Sequence, residues 1–321
     1  MNKEITKIVT HDGPFHADDI VACALLYRFS FDAHPILTSI ERTRDRQVLE
    51  TAKKDSQTLV LDVGGEFAPE KLAFDHHFTG SPVRADGIPY ASAGLVLHHM
   101  IRAEENESER FESAALDEFI RRVDASDNGV KIPNWTFSET IHKCNPVNDS
   151  SPEEFLRRFM LLRSMVGVML ENLVIEGTGV GKAVQAFERI PQIKAWVKEH
   201  DEALAASASR IREAFNQEGE LLVLDRYEPA LAEIASEAPE KKLFSVFPAH
   251  DGKYMVQQIP LKPKSFVGRK QLPENWAGLR DTDLDAVTGV EGGVFCHPAR
   301  FIAGHSTQEG AIRLALLAAS A

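Results

Sequence analysis

The stretch "TLVLDVGG", residues 58–65, constrains the fold more than any other in this chain of 321 residues. Its unbroken apolar run leaves no polar face, which suits a strand buried on both sides of a parallel sheet. Asp62 ends the run, and Gly64 and Gly65 let the backbone turn sharply after it. On either side, strand and helix alternate. "ITKIVT" (5–10) and "PILTSI" (35–40) read as strands. "ADDIVACALLYRF" (17–29), "DRQVLETAKK" (45–54), "SAGLVLHHMIRAE" (92–104) and "SAALDEFIRRVDA" (113–125) read as helices. Such alternation predicts an α/β fold whose N-terminal lobe is a doubly wound, mainly parallel sheet, with ligands beyond the carboxyl ends of its strands.

From about residue 152 the pattern changes to two long helices, 151–177 and 191–215, the first opened by Ser-Pro-Glu-Glu. Gly177, Gly179 and Gly181 mark the break between them. After Gly219 strands return in "ELLVLD", "KLFSVFPA", "YMVQQIPL" and "GGVFCHPARFIAG". The expected organisation is a catalytic domain over 1–180, then a helical connector and a second, smaller α/β lobe over 181–321.

The net charge of −12 argues against coating duplex DNA through a basic face. Nucleic acid stays open as a substrate, because bound cations can reverse the sign of a site locally. "LKPKSFVGRK" runs against the overall charge with Lys262, Lys264, Arg269 and Lys270, either a solvated loop or a phosphate-contacting strip. The three cysteines, Cys23, Cys144 and Cys296, lie too far apart for a disulfide framework or a zinc knuckle. No apolar run is long enough to span a bilayer, and no targeting pattern is visible, so the expectation is a cytoplasmic protein without membrane contact.

Placed on this map, the polar residues converge. His11 follows the first strand, and His16 and Asp18 enter the first helix. Asp62 ends the third strand, Asp75, His76 and His77 follow the next apolar stub, and Asp124 and Asp127 sit where a helix runs out. In a parallel sheet these positions share one edge. Imidazoles and carboxylates so crowded would desolvate and repel one another without cations between them. The mixed N/O donor set exceeds the needs of one tetrahedral zinc, so two divalent ions are expected, Mn²⁺ first, with Mg²⁺, Co²⁺ and Zn²⁺ as alternatives. A cation pair of this kind suits in-line attack of water on phosphorus.

These residues carry a resemblance. The series His11, His16-Ala17-Asp18, Asp62, Asp75-His76-His77 and the "VDASDNG" acid resembles the DHH phosphoesterase superfamily. More narrowly, "THDGPFHADDIVACALL", "RTRD", "VLDVGGEF", "FDHH", "ASAGLVL", "VDASDNG", "LPENWAGLRD" and "GGVFCHPARFIAGHSTQEGA" resemble the family of the melanocyte proliferating gene product, metal-dependent 3′–5′ RNA exonucleases. The likeness spans nearly the whole chain. It implies that His11, His16, Asp18 and His76 ligate metal, with His16 where most of the superfamily has an Asp, and that Asp62 bridges two ions. Asp75 would orient His76, and His77 would face the substrate phosphate. The fourth motif offers Asp124 and Asp127, with Asp124 favoured. "GGVFCHPARFIAGH" looks like the superfamily's glycine-rich substrate loop, which brings in His297, Arg300 and His305. Arg300 and Ala303 stand where relatives carry glycine, and Gln308 replaces an Arg, departures that bear on substrate preference.

Blander readings apply elsewhere. His98 and His99 suit a helix with one of them half-buried and the other solvated, while His34, His142, His200 and His250 suit surface or loop positions. Asp19 reads as a helix-start residue offsetting the macrodipole. For Arg42 and Arg44 an active-edge role and a surface ion pair are both open; Arg44 is carried as a substrate candidate with Lys264, Phe266, Arg269 and Trp276.

Three functions compete. An exonuclease on single-stranded RNA or short oligonucleotides needs cations and aromatic platforms for the chain. A small-molecule phosphodiesterase or pyrophosphatase would use the same metals in a closed pocket. A non-catalytic, metal-stabilised binding protein is the third. The expected partner is the RNA or oligonucleotide substrate, with a second copy of the chain as a further candidate.

Overall fold

A computed structural model describes residues 5–29, 39–103, 113–147, 150–249, 252–263 and 267–321. Residues 35–38 of the expected second strand, and His34, His250, Lys264 and Phe266, lie outside the described residues. The chain forms two compact units, 1–200 and 201–321.

The first unit is built on a five-stranded sheet of order β2-β1-β3-β5-β4. Strands β1 (Lys7–Thr10), β2 (Ser39–Arg42), β3 (Thr58–Leu61) and β5 (Ala73–Phe74) run parallel, and β4 (Phe67–Ala68) closes the edge antiparallel to β5. The apolar run of β3 is buried throughout because it feeds two cores. Leu59 and Leu61, with Ile8 of β1, face the main core. Val60 and Val9 face a smaller one completed by Leu49 and Ala52 of α2 (Arg46–Ala52) and by Val63. Period-two alternation thus puts one layer on each sheet face.

Helix α1 (Ala17–Phe29) has no polar face and lies between α3 (Ser92–Ala103) and α6 (Pro152–Ile175). Asp18 and Asp19 of its first turn are fully buried. Helices α4 (Ala114–Asp127) and α5 (Phe137–Lys143) extend the layer. Ser151 caps α6 by accepting from the Glu154 N–H, as its Ser-Pro-Glu-Glu start predicts.

The first unit ends at His200 and not near residue 180. Helix α7 (Val180–Glu188) packs on α6, and Ile193 and Trp196 of α8 (Pro191–Ala214) join the first unit's core. The expected connector is therefore largely part of the first unit.

The second unit holds a sheet of order β6-β7-β8-β10-β9. Only β6 (Leu221–Val223) and β7 (Phe244–Pro248) are parallel among its described pairs. Strands β8 (Tyr254–Gln258), β9 (Gly293–Cys296) and β10 (Ile302–His305) continue it antiparallel. "GGVFCHPARFIAG" is thus two strands and the turn between them. Helix α10 (Gln308–Ser320) covers one sheet face, and α9 (Asp281–Thr288) packs on β9.

Candidate metal centre

The parallel order brings His11, Asp62 and Asp75 to one edge, immediately after β1, β3 and β5. Asp62 sits at φ 53°, a left-handed conformation that costs a non-glycine residue energy and marks functional turns. Its two oxygens face different imidazoles. Oδ2 lies 3.4 Å from His11 Nε2, and Oδ1 lies 3.3 Å from His76 Nε2. The Ser92 hydroxyl donates to Oδ1 at 3.2 Å.

Ligating atoms of His11, His16 and Asp62 lie within 4.8 Å of one another, as do those of Asp62, His76 and His77, and those of Asp18, His76 and Asp127. His11 Nε2 also stands 3.1 Å from Asp19 Oδ2, and His76 Nε2 stands 3.1 Å from Asp127 Oδ2. These contacts are ion-pair distances without hydrogen-bond geometry: His11 Nε2, His76 Nε2 and Asp19 Oδ2 are buried polar atoms with no hydrogen-bond partner. Orphans of this kind are costly in a folded core. Imidazole nitrogens and carboxylate oxygens aimed at common points are the donor set of a first-row divalent cation, and the residues present fit one.

The electrostatics agree. Burial works against a charged His11, but Asp19 and Asp62 outweigh it and raise the imidazole to about 10. Burial likewise opposes His76, which Asp127 and Asp62 raise to about 11. Asp62 is driven up by burial yet held well below the usual carboxylate range by the same two imidazoles. Asp18 is pushed up by burial and by its acidic neighbours Asp62 and Asp127. Four carboxylates and two imidazoles therefore balance one another through protons, places that cations can take.

Helix α3 anchors the acids. Asp18 accepts from the Ser92 and Ala93 N–H groups at 2.9 and 2.7 Å. Asp124 accepts from Ala91 and Gly94 at 3.1 and 3.0 Å. Two buried carboxylates thus satisfy four N–H groups at the start of α3. Gly94 is obligatory for this approach, because a Cβ there would stand 2.2 Å from Asp124 Oδ2.

Two expected roles change. Asp124 binds Arg84 Nε at 2.6 Å as well as α3, so the acid of the fourth motif that meets His76 is Asp127. Burial pushes Asp124 up to about 6 against the pull of Arg84. Asp75, in turn, orients His77 and not His76. It accepts from His77 Nδ1 at 2.7 Å, from the His77 N–H at 3.1 Å and from the Gly65 N–H. His77 is 60% exposed and raised by Asp75, whereas His76 faces inward.

Of the other expected contacts, Arg44 pairs with Asp12 at 3.3 Å on the loop after β1, on the solvent side. In the second unit Arg269 gives its guanidinium to the carbonyls of Ala235, Ala238, Pro239 and Lys242. His305 is buried, with Nε2 on the Glu291 carbonyl and Nδ1 accepting from the Thr307 N–H. Both side chains are spent on internal bonds, which corrects their expected place at substrate. Trp276 is buried in the second core. Arg300 holds Gln271 at φ 60°, the conformation that explains the glycine expected there. His297 lines a cavity of about 460 Å³ with Lys253, Arg280 and Phe295.

Asp19 was missed as a contact of His11. A second acid beside Asp18, on a helix lacking any polar face, is the signal for it, since a buried carboxylate needs a partner.

Comparison with known proteins decides the family. A sequence profile of the MYG1 exonuclease family, described as an uncharacterised protein family (UPF0160), matches residues 7–319. The chain belongs to the MYG1 exonuclease family. The human MYG1 exonuclease is 31% identical over 353 residues, covering 96% of this chain and 84% of the human one. The MYG1 protein of Dictyostelium discoideum is 30% identical over 343 residues, covering 96% and 95%. A pGpG-specific phosphodiesterase from Vibrio cholerae, PggH, shares the fold at a TM-score of 0.51 and 13% identity, across 99% of this chain and 98% of that one. Every residue of the candidate centre, from His11 to Asp127, falls inside the MYG1 family match.

Proposed function

We propose that this protein is a cytoplasmic, metal-dependent phosphodiester hydrolase that shortens single-stranded RNA or short oligonucleotides from the 3′ end. One observation carries the reading: each oxygen of the buried Asp62 carboxylate faces a different imidazole, so a single side chain joins two groups of ligating atoms. His11 and His16 form one group with Asp62; His76 and His77 form a second with it, and His76 also closes a third with Asp18 and Asp127. These residues would hold two divalent cations, Mn²⁺ first, which would supply Lewis-acid charge for activating water.

The chain's own residues do the rest. Asp18 ties its group to the rigid start of α3, so the ligands hold position as substrate enters. His77, fixed through Nδ1 by Asp75 and open to solvent, presents its other ring nitrogen to a phosphate oxygen or the leaving oxygen. In the second unit, the cavity lined by Lys253, Arg280, Phe295 and His297 offers cations and an aromatic face suited to a nucleotide. Ala299 donates to His297 Nδ1, which leaves the ring's Nε2–H as a donor. The exonuclease names of the mammalian relatives support the same reading.

Incubation of 5′-labelled RNA oligomers with the purified protein and Mn²⁺ tests it. A ladder shortening from the 3′ end is expected. Product released only from pyrophosphate or a dinucleotide would replace the exonuclease with a small-molecule hydrolase. Undiminished activity in Asp62→Ala or His76→Ala would remove the metal assignment itself.

A further inference from the structure

Most of the candidate ligands are held by burial, but His16 is not. His11, Asp18, Asp62 and His76 are enclosed, whereas the His16 side chain is exposed and stands where its backbone puts it. That backbone is the short link 12–15 between β1 and α1.

The link is gripped from outside. The Phe15 N–H donates to Asn145 Oδ1 at 2.8 Å, and Asn145 Nδ2 donates back to the Phe15 carbonyl at 2.8 Å. One buried amide, 130 positions away, thus serves both backbone groups of the residue before His16, as a neighbouring strand would. Asn145 is itself tied to the end of α5 by a bond from Nδ2 to the His142 carbonyl. The Phe15 ring is fully buried, edge-on to Phe159 at 6.1 Å. Arg42 adds a second hold: Nη2 donates to the Gly13 carbonyl at 2.9 Å, with its guanidinium over the Phe15 and Phe159 rings. A donor and an acceptor on one short planar group are needed for the Phe15 clamp, which Asn supplies and Asp, Ser or Ala do not.

We infer that Asn145 is a positioning residue that sets where His16 stands and so tunes the His11–His16–Asp62 group alone; the inference rests on the two-cation reading. The Asn145 amide is bonded to Phe15 and to the His142 carbonyl, and Asp18 of the Asp18–His76–Asp127 group is anchored separately through α3. Releasing the clamp weakens the first group about tenfold or more, the usual effect of losing a support behind a ligand, and leaves the second unchanged.

The test titrates the full-length, metal-free protein with Mn²⁺ by calorimetry, alongside thermal melts, for wild type, Asn145→Ala, Asn145→Asp, His16→Ala and Asp127→Asn. Two sites are expected in wild type. Asn145→Ala and His16→Ala weaken the same site, Asp127→Asn weakens the other, and Asn145→Asp, which keeps the acceptor for Phe15, falls between wild type and Asn145→Ala. A folded Asn145→Ala with both sites at wild-type affinity overturns the clamp, as does a parallel loss of both sites. Should Asn145→Ala fail to fold, wild-type binding in Asn145→Asp overturns it equally. If wild type itself binds no Mn²⁺, the two-cation reading falls and this inference with it; two wild-type ions with an indifferent Asn145→Ala remove the clamp alone.

Discussion

Asp75 holds His77 by two bonds at once, Oδ1 to ring Nδ1 at 2.7 Å and to the backbone N–H at 3.1 Å. The adjacent ring of His76 lies 4.1 Å away and reaches deeper, its Nε2 between Asp62 and Asp127, while His77 Nδ1 stands 3.5 Å from the same Asp62 oxygen. Two neighbouring histidines thus have separate tasks, one toward the cations and one toward solvent.

That division predicts separable defects. His77→Ala is expected to lower kcat by about a hundredfold, within the range for a lost general acid or phosphate donor, with Mn²⁺ affinity within a factor of about two. Asp75→Asn lowers kcat less, because the ring remains but loses its orienting charge. His76→Ala, by contrast, lowers Mn²⁺ affinity directly. Steady-state kinetics paired with Mn²⁺ titration separate the three.

Cation binding must expel protons. In the metal-free protein His11 and His76 are raised to about 10 and 11, so both are protonated at pH 7, and a ligating imidazole must be neutral. Mn²⁺ binding at pH 7 is therefore expected to release protons, and apparent affinity rises from pH 6 to 8. Calorimetry in buffers of different ionisation enthalpy measures the number released. The same shifts set the metal-free protein's stability. Because both imidazoles are raised above the unfolded value, their contribution is full below about pH 6.5 and is lost as pH climbs through about 10. Denaturant midpoints of the chelated protein should fall across that window.

Asp124 and Asp127 should fail in opposite ways. Asp124 is fully buried between Arg84 and the start of α3, so Asp124→Ala leaves Arg84 with Asp117 as its remaining carboxylate and strips two N–H groups of their acceptor. A loss of about 3 kcal/mol is expected by urea unfolding, with the Mn²⁺ sites retained at moderate denaturant-free temperatures. Asp127→Ala should change stability little and remove one Mn²⁺ site.

The sequence carries the edge more readily than the roles on it. Period-two and 3.6-residue spacing place β1, β3, α1 and α3, and a parallel sheet then forces His11, Asp62 and Asp75 to one side. Asp124 and Asp127 could not be separated that way. They lie three apart on one helix, and only the approach of Gly94 reveals that Asp124 points at α3. Asn145 was invisible for a similar reason: its partner is the backbone of Phe15, which leaves no residue pattern. Arg269 and His305 have the chemistry of substrate contacts, but carbonyls from distant turns claim them, a long-range outcome that local patterning does not carry.

The central claim is that Asp62 joins two cations, and Mn²⁺ anomalous scattering from crystals of the wild-type protein tests it most directly. Two peaks are predicted, one beside His11, His16 and Asp62 and one beside Asp62 and His76. A single peak, or two that leave Asp62 uncoordinated, would contradict the account.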